Sequence, residues 1–344
     1  MVAVLSCLAG SVGFRSLLPW PAARGVAIKR AWWEANKDSV DVVLLGSSRV
    51  ARGYVSSIIE EQLAQAGRPL TVFNFGTIGM DAYESDHLLE WLLSTQPARL
   101  AWVVLEPESW RPERPAKIAH LAARDVYWRN SRLTRTALAS ISLTGAPWDV
   151  QLDSAEEQLA RYAMRTLNIG AARWWLEQSL DPPHDKEDPT AEAVAQHRGW
   201  QPYDEEHGAN FEATVAAWDE LGLASPFGER LAKLTALKPR PSLLATTNVD
   251  AVIAQVEAVA AAGARAIHVI GPSVREKPWI AALDRAGHLS ALINYQDPER
   301  YPELFDPHLR YDVDHMNLAG AERLSRLLGR DLARAMDRLE QEAP

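Results

Sequence analysis

Short apolar runs alternate with amphipathic segments through the first third of the chain, and this alternation constrains the fold more than any other feature. The apolar runs lie at 42–45, 70–76 and 100–105, and they have the length and Val/Leu content of buried strands. Between them, residues 56–66 and 81–93 carry apolar side chains at helical spacing. This β-α-β-α-β order predicts parallel strands joined by right-handed crossovers.

The same alternation resumes after residue 241. Its predicted elements are helices at 249–262, 279–286 and 318–339, and strands at 266–270 and 289–295. Together with the first third, they predict a three-layer α/β/α domain around a parallel sheet of about five strands. The domain is then formed by residues 38–110 and 241–344.

The segment 111–240 interrupts this pattern, because no strong strand signal occurs in it. Helical spacing is found at 133–143, 154–167, 171–179 and 211–221. Many of the 13 tryptophans of the chain fall in this segment or just before it. We predict a tryptophan-rich helical insertion in which these rings form a core. A carbohydrate or partner surface is the alternative use of such rings.

Composition excludes several function classes. The net charge of −9 provides no dense basic stripe for nucleic acid. The single cysteine rules out an internal disulfide and a cysteine metal site. The histidines of the insertion, His184, His197 and His207, lack metal-ligand spacing. Neither a metal nor a cofactor is predicted.

The N-terminal segment 1–37 begins with an apolar stretch that has two interpretations. Its first 14 residues are apolar and small, but a spanning helix needs about 20 apolar residues. No positively charged region precedes them, as a secretory signal would require. The stretch is either part of a trimmed membrane anchor, which we favour, or an apolar segment packed on the body of the protein.

Candidate catalytic residues follow the first predicted strand and precede the last predicted helix. The strand ends on Gly46-Ser47-Ser48-Arg49, at the edge where open α/β sheets bind ligands. A plain Gly-Ser turn is the alternative reading. Far along the chain, Asp312 and His315 lie three residues apart. A serine nucleophile needs a base, and the base needs a group that orients its ring. We therefore predict Ser48 as nucleophile, His315 as base and Asp312 as the orienting acid.

These residues resemble the motifs of the SGNH (GDSL-like) hydrolase superfamily. The family's Gly-Asp-Ser triplet corresponds to Gly46-Ser47-Ser48, and its Asp-x-x-His element corresponds to Asp312 and His315. Its Asn-x-Gly-x-x-Gly block is matched by the stretch from Asn74 to Gly79. The resemblance implies that the backbone N–H groups of Ser48 and Gly79 form an oxyanion hole.

The third family block is not matched. The family has Gly-x-Asn-Asp after the third strand, and its asparagine completes the oxyanion hole, whereas this chain has Glu106-Pro107-Glu108-Ser109. An ionised Glu108 would repel a developing oxyanion. We therefore expect either fewer oxyanion donors or a degenerate site. Asn74, Arg49 and Glu108 are weaker candidates for substrate contacts.

The Gly-Ser-Ser-Arg form, the apolar N-terminus and the insertion are similar to membrane-associated SGNH-like proteins of bacterial envelopes. That similarity implies an esterase or O-acyltransferase acting on an acylated glycan or a small acyl ester, on the periplasmic side of the envelope. The second hypothesis is a non-catalytic SGNH-fold subunit of a membrane-associated complex. Residues 1–20 or the insertion would then contact the membrane or a membrane protein. A cytoplasmic location stays open.

Overall fold

The structure is a computed structural model that describes most of the two predicted α/β segments and part of the insertion. The described residues are 10–11, 13–14, 25–110, 126–170, 190–202, 218, 226–235, 248–274 and 277–342. The predicted helix at 171–179 lies outside them. The predicted helix at 211–221 also lies outside them, apart from residue 218.

Five parallel strands form a single sheet in the order β2-β1-β3-β4-β5. The strands are β1 (Val42–Leu45), β2 (Val72–Asn74), β3 (Trp102–Leu105), β4 (Arg265–Ile270) and β5 (Leu292–Asn294). The predicted α/β class and parallel five-stranded sheet are therefore confirmed. β5 is shorter than the predicted run at 289–295.

Helices connect the strands and build the described part of the insertion. Those outside the insertion are α1 (Val26–Asn36), α2 (Ser48–Gly53), α3 (Ser56–Gln65), α4 (Ala82–Ser94), α9 (Val249–Ala261), α10 (Pro278–Arg285) and α11 (Leu318–Gln341). Those within it are α5 (Ser131–Ser142), α6 (Trp148–Leu167), α7 (Ala191–Gln196) and α8 (Pro226–Thr235). The described residues between 126 and 235 contain no strand, as the helical prediction requires.

The sheet is covered on both faces, because alternate strand residues point into two different cores. Val42 and Leu44 of β1 belong to a core that includes residues of α3 and α11. Val43 and Leu45 belong to a second core, which includes residues of α1, α4 and α9. Continuous apolar strands are what a sheet buried on both faces requires.

The insertion contributes to these cores only in part. Trp128, Trp200 and Trp218 are buried, as a core role predicts. Trp148 differs, because it begins α6 six residues before the predicted helix start and is 74% exposed. Its ring therefore lies on the surface of the described structure.

Part of the N-terminal segment 1–37 belongs to the body of the domain. Within α1, Val26 and Trp33 are fully buried in the second core. The Trp33 ring nitrogen also donates a hydrogen bond to the Thr95 hydroxyl at 3.0 Å. In the described part of the chain, no helix combines the length and apolarity needed to cross a membrane.

The strand order creates a crevice at the carboxyl ends of β1 and β3. The chain moves from β1 to β2 on one side and then returns to β3 on the other. In open sheets of order 2-1-3-4-5, ligands bind at this reversal point. Gly46 and Glu106 directly follow these two strands.

We expect Gly46→Ala to destabilise the domain, since a Cβ there would lie 2.4 Å from Val50 Cγ2 and 2.6 Å from Glu106 Cβ. Overpacking of this kind costs about 1–3 kcal/mol. Gly53→Ala is the matched control, because its Cβ would have no neighbour nearer than Leu324 Cδ2 at 3.8 Å. Urea unfolding measures both variants, and equal stabilities would contradict the close approach at Gly46.

Candidate active site

The turn after β1 places Ser48 at the first position of α2. Ser47 caps this helix, and its hydroxyl accepts a hydrogen bond from the Arg49 N–H at 3.3 Å. Serine is a favoured capping residue because its oxygen accepts a hydrogen bond from a free N–H of the first turn. The side chain of Ser47 is therefore used by the turn, whereas Ser48 contacts a histidine from a distant loop.

The structure brings together the three residues predicted as a triad. The Ser48 hydroxyl lies 2.7 Å from Nε2 of His315. On the other side of the ring, Nδ1 of His315 lies 2.7 Å from Oδ2 of Asp312. These distances are within the range that proton transfer from a serine to a histidine requires.

The loop carrying Asp312 and His315 is held by its own backbone. Asp312 Oδ1 accepts hydrogen bonds from the N–H groups of Asp314 and His315, at 2.7 and 2.8 Å. Burial raises the pKa of Asp312, but hydrogen bonding to His315 and the charge of that ring outweigh burial. The pKa therefore lies below its ordinary value. Asp312 is thus ionised when it orients the histidine.

A buried arginine holds this loop through hydrogen bonds to backbone carbonyl groups. Arg310 is 2% exposed, and its guanidinium donates hydrogen bonds to the carbonyl groups of Leu304, Val313 and Pro272. Backbone bridging between Arg310 and Met316 closes the loop. The position of the triad acid and base therefore depends on contacts that reach beyond the Asp-x-x-His element.

Glu106 is the site residue that the sequence analysis missed. Its Oε2 accepts hydrogen bonds from both the N–H and the hydroxyl of Ser47, each at 2.7 Å. Its Oε1 accepts a hydrogen bond from Nε of Arg49 at 2.5 Å. One buried carboxylate therefore binds the residues on either side of Ser48.

The charge of Glu106 is balanced by two cations. Burial raises its pKa, but Arg49, Lys277 and the hydrogen bonds from Ser47 lower it by more, to about 2. Lys277 Nζ lies 3.6 Å from Glu106 and 2.9 Å from Glu108, and Arg49 also pairs with Glu108. The side chain of Glu108 is thus held by two cations, and the repulsion expected at this position is compensated.

The strand register explains why Glu106 reaches the nucleophile turn. Leu45 of β1 is paired with Leu105 of β3, so the residues that follow them, Gly46 and Glu106, are neighbours. The Glu106 N–H donates to the Leu45 carbonyl at 2.9 Å. The sequence shows that an acidic residue directly follows the third strand. Its contact with the turn after β1 could be predicted only by knowing that β1 and β3 are adjacent.

The two residues whose backbone N–H groups the resemblance assigns to an oxyanion hole, Ser48 and Gly79, line one cavity. Gly79 has a φ of +68°, a conformation that favours glycine, and it lines the same cavity as Ser48. Among the described residues, neither the Ser48 N–H nor the Gly79 N–H donates a hydrogen bond. Both donors are therefore available to a bound oxygen.

Ser48 and His315 line a cavity of about 460 Å³. The residues that line it are Ser47, Ser48, Arg49, Gly79, Met80, Asp81, Ala82, Tyr83, Glu108, Ser109, Arg129, Arg161, Asp314 and His315. A cavity of this size accommodates a small organic ligand. Residues of the insertion, Arg129 and Arg161, form part of its wall.

Of the weaker predicted contacts, Arg49 and Glu108 line the cavity, whereas Asn74 does not. Asn74 is fully buried. Its amide donates hydrogen bonds to the carbonyls of Val50 and Tyr54 at 2.8 Å, and it accepts one from the Gly76 N–H at 2.8 Å. We therefore correct the prediction for Asn74, because its polar atoms are used to hold the turns around the site.

No cluster of three or more His, Cys, Asp or Glu residues within the described ranges is arranged to bind a metal ion. In comparisons with known proteins, no protein-family model and no curated protein matches this chain. The case for a function therefore comes from the residues and their geometry.

We expect Glu106→Gln to lower the free energy of unfolding by about 3–5 kcal/mol, because it leaves buried Arg49 and Lys277 short of a countercharge. Glu61→Gln, at an exposed residue of α3, is the control, with a change within about 0.5 kcal/mol. Urea unfolding at several pH values is the measurement.

The low pKa of Glu106 sets the pH dependence of that difference. The stabilisation that ionised Glu106 gives to the folded protein is complete above the pKa of this group in the unfolded state, about 4.3. It is lost as the pH falls towards 2. The difference in free energy of unfolding between the parent protein and Glu106→Gln should therefore be constant from pH 8 to about pH 5 and become smaller in stronger acid. Equal free energies of unfolding at pH 7 would contradict the role of Glu106.

Proposed function

We propose that this protein is an SGNH-like serine-dependent esterase or O-acyltransferase acting on an acylated glycan or a similar molecule of a bacterial envelope. The observation that carries the proposal is the hydrogen-bonded chain Ser48–His315–Asp312 on the wall of an open cavity. The all-parallel three-layer arrangement and the matched first and last blocks support the SGNH-like class.

The first half-reaction transfers the acyl group to Ser48. Nε2 of His315 takes the hydroxyl proton while Ser48 Oγ attacks the ester carbonyl carbon. The N–H groups of Ser48 and Gly79 donate to the carbonyl oxygen as it becomes negative. His315 then gives its proton to the departing alcohol oxygen, which leaves an acyl-Ser48 ester.

The second half-reaction releases the acyl group to an acceptor. His315 takes a proton from a water molecule in an esterase, or from a sugar hydroxyl in an acyltransferase, and the resulting oxygen attacks the acyl carbon. Bond cleavage returns the electron pair and a proton to Ser48 Oγ. Asp312 stays ionised throughout and stabilises the protonated ring.

The missing third block sets an expectation for the rate. With Glu108 at the position of the family's asparagine, the oxyanion receives no asparagine side chain, and loss of one such donor typically costs about 10²–10³ in rate. A modest turnover is therefore expected. The charge of Glu108, shared with Arg49 and Lys277, opposes the oxyanion less than a free carboxylate would.

The competing hypothesis is a non-catalytic assembly subunit at a membrane. It would be favoured if a side chain filled the site or if the triad were disconnected. The cavity at Ser48 is open and the triad distances are short, so the geometry favours chemistry. Association with the periplasmic face of a membrane stays part of the proposal, through residues 1–20 or the insertion.

We expect Ser48→Ala to abolish labelling by a fluorophosphonate probe and hydrolysis of p-nitrophenyl acetate, because the reacting oxygen is removed. Ser57→Ala, at an exposed serine on α3, is the matched control and keeps both signals. Labelling is detected by intact-protein mass spectrometry. A parent protein that is never labelled would overturn the enzymatic proposal.

We expect Asp312→Asn to reduce kcat by about 10³–10⁴, because an amide favours the wrong tautomer of His315 and does not stabilise its protonated form. Stopped or continuous assays on the same ester measure the effect. Circular dichroism of the variant checks that the loop change leaves the fold intact, and an unchanged kcat would contradict the role of Asp312.

A further inference from the structure

The cavity beside Ser48 has a second chemical feature, a pair of buried arginines from the insertion. Arg129 precedes α5, Arg161 lies on α6, and both line the cavity together with Ser48 and His315. Arg129 is 4% exposed and Arg161 is 7% exposed. The triad mechanism uses neither residue.

Arg161 has a hydrogen-bond donor that the protein does not use. Its Nη2 pairs with Glu157, one turn earlier on the same helix. Its Nε is buried, and no described residue accepts a hydrogen bond from it. A buried guanidinium N–H without a hydrogen-bond acceptor is energetically costly unless a ligand or a water molecule accepts its hydrogen bond. Arg161 also lines the cavity, so a small movement of its guanidinium would bring this donor to an acceptor bound there.

Arg129 lies near the same place. Its guanidinium is 4.1 Å from the centre of the Tyr83 ring, and it also pairs with Asp81 at 3.8 Å. Burial raises the pKa of Tyr83 to about 12, while Arg129 and Arg161 both act to lower it. Both cations therefore act on the same residue of the cavity wall, and an anion bound in the cavity would be attracted by both.

The acids of the cavity limit how much negative charge it accepts. Glu108 is held by Arg49 and Lys277, while Asp81 and Asp314 also line the wall. A dianionic phosphate would be repelled by these three carboxylates. A carboxylate carries a single charge and is planar, which matches the fork of a guanidinium.

We propose that Arg129 and Arg161 form a subsite for a carboxylate on the substrate, so that the preferred ester is an acylated acidic sugar. This inference rests on the proposed function for its ester chemistry, but not for the binding of the anion. It assigns to the insertion the selection of substrate, while the α/β domain supplies the nucleophile and base.

Matched substrates test the proposal with the full chain. Acetylated glucuronic acid and acetylated glucuronamide have nearly the same shape and differ in the charge of one group, and acetate release gives kcat/KM for each. We expect the acid to be favoured by about 10- to 100-fold, the range of a charge-assisted hydrogen bond. Arg161→Gln should bring the ratio close to one, whereas Arg135→Gln, at an exposed arginine of α5, should leave it unchanged.

Two further variants separate recognition from folding. Arg161→Gln removes one ion pair of the buried Glu157, so the double change Glu157→Gln/Arg161→Gln removes both charges of that pair. Loss of the preference in this double variant also supports a direct role for Arg161. A preference kept in both variants overturns the subsite.

A binding measurement distinguishes failure of the subsite from failure of the proposed chemistry. Glucuronate, glucose and glucose 6-phosphate are compared by the rise in Tm that each gives to Ser48→Ala. We expect a rise with glucuronate that is lost when Arg161→Gln is added. Equal shifts with glucose, or a larger one with the phosphate, would overturn the carboxylate subsite even in a protein that hydrolyses esters.

Discussion

The buried carboxylate of Glu106 is the contact on which the arrangement of the site depends. It follows β3, and it accepts hydrogen bonds from Ser47 and forms an ion pair with Arg49, which both follow β1. The carboxylate therefore connects the ends of two adjacent strands. Ser48 lies between these two residues and is therefore held in place from both sides. The charge is tolerated because Arg49 and Lys277 face it in a region that excludes water.

The same network accounts for the departure from the SGNH pattern. The acid after the third strand uses its oxygens to hold the turn, and Glu108 shares its charge with Arg49 and Lys277. Backbone N–H groups of Ser48 and Gly79 are the donors left for a developing oxyanion. The proposed chemistry thus depends on backbone placement at this position more than on a side-chain amide.

The insertion changes how the cavity is understood. Without α5 and α6, the crevice at the carboxyl ends of β1 and β3 would be bounded by two segments. One carries Glu106 and Glu108, and the other carries Asp312 and His315. Arg129 and Arg161 add positive charge to the wall of the cavity. In the proposed function, the α/β domain would carry out the reaction and the insertion would select the substrate.

Local patterns were enough to predict the alternating elements and the triad residues, because strand runs, Ser48 and the Asp312–His315 spacing are visible in the chain itself. Residues whose role depends on distant partners were missed or misassigned. Glu106 contacts the turn after β1 because Leu45 is paired with Leu105. The polar atoms of Asn74 form hydrogen bonds within the neighbouring turns. Arg161 lines the cavity because of the way α6 packs. The sequence by itself determined which chemical groups were present and in what order. Only the tertiary structure decided which of them meet, because strand register and helix packing join residues far apart in the chain.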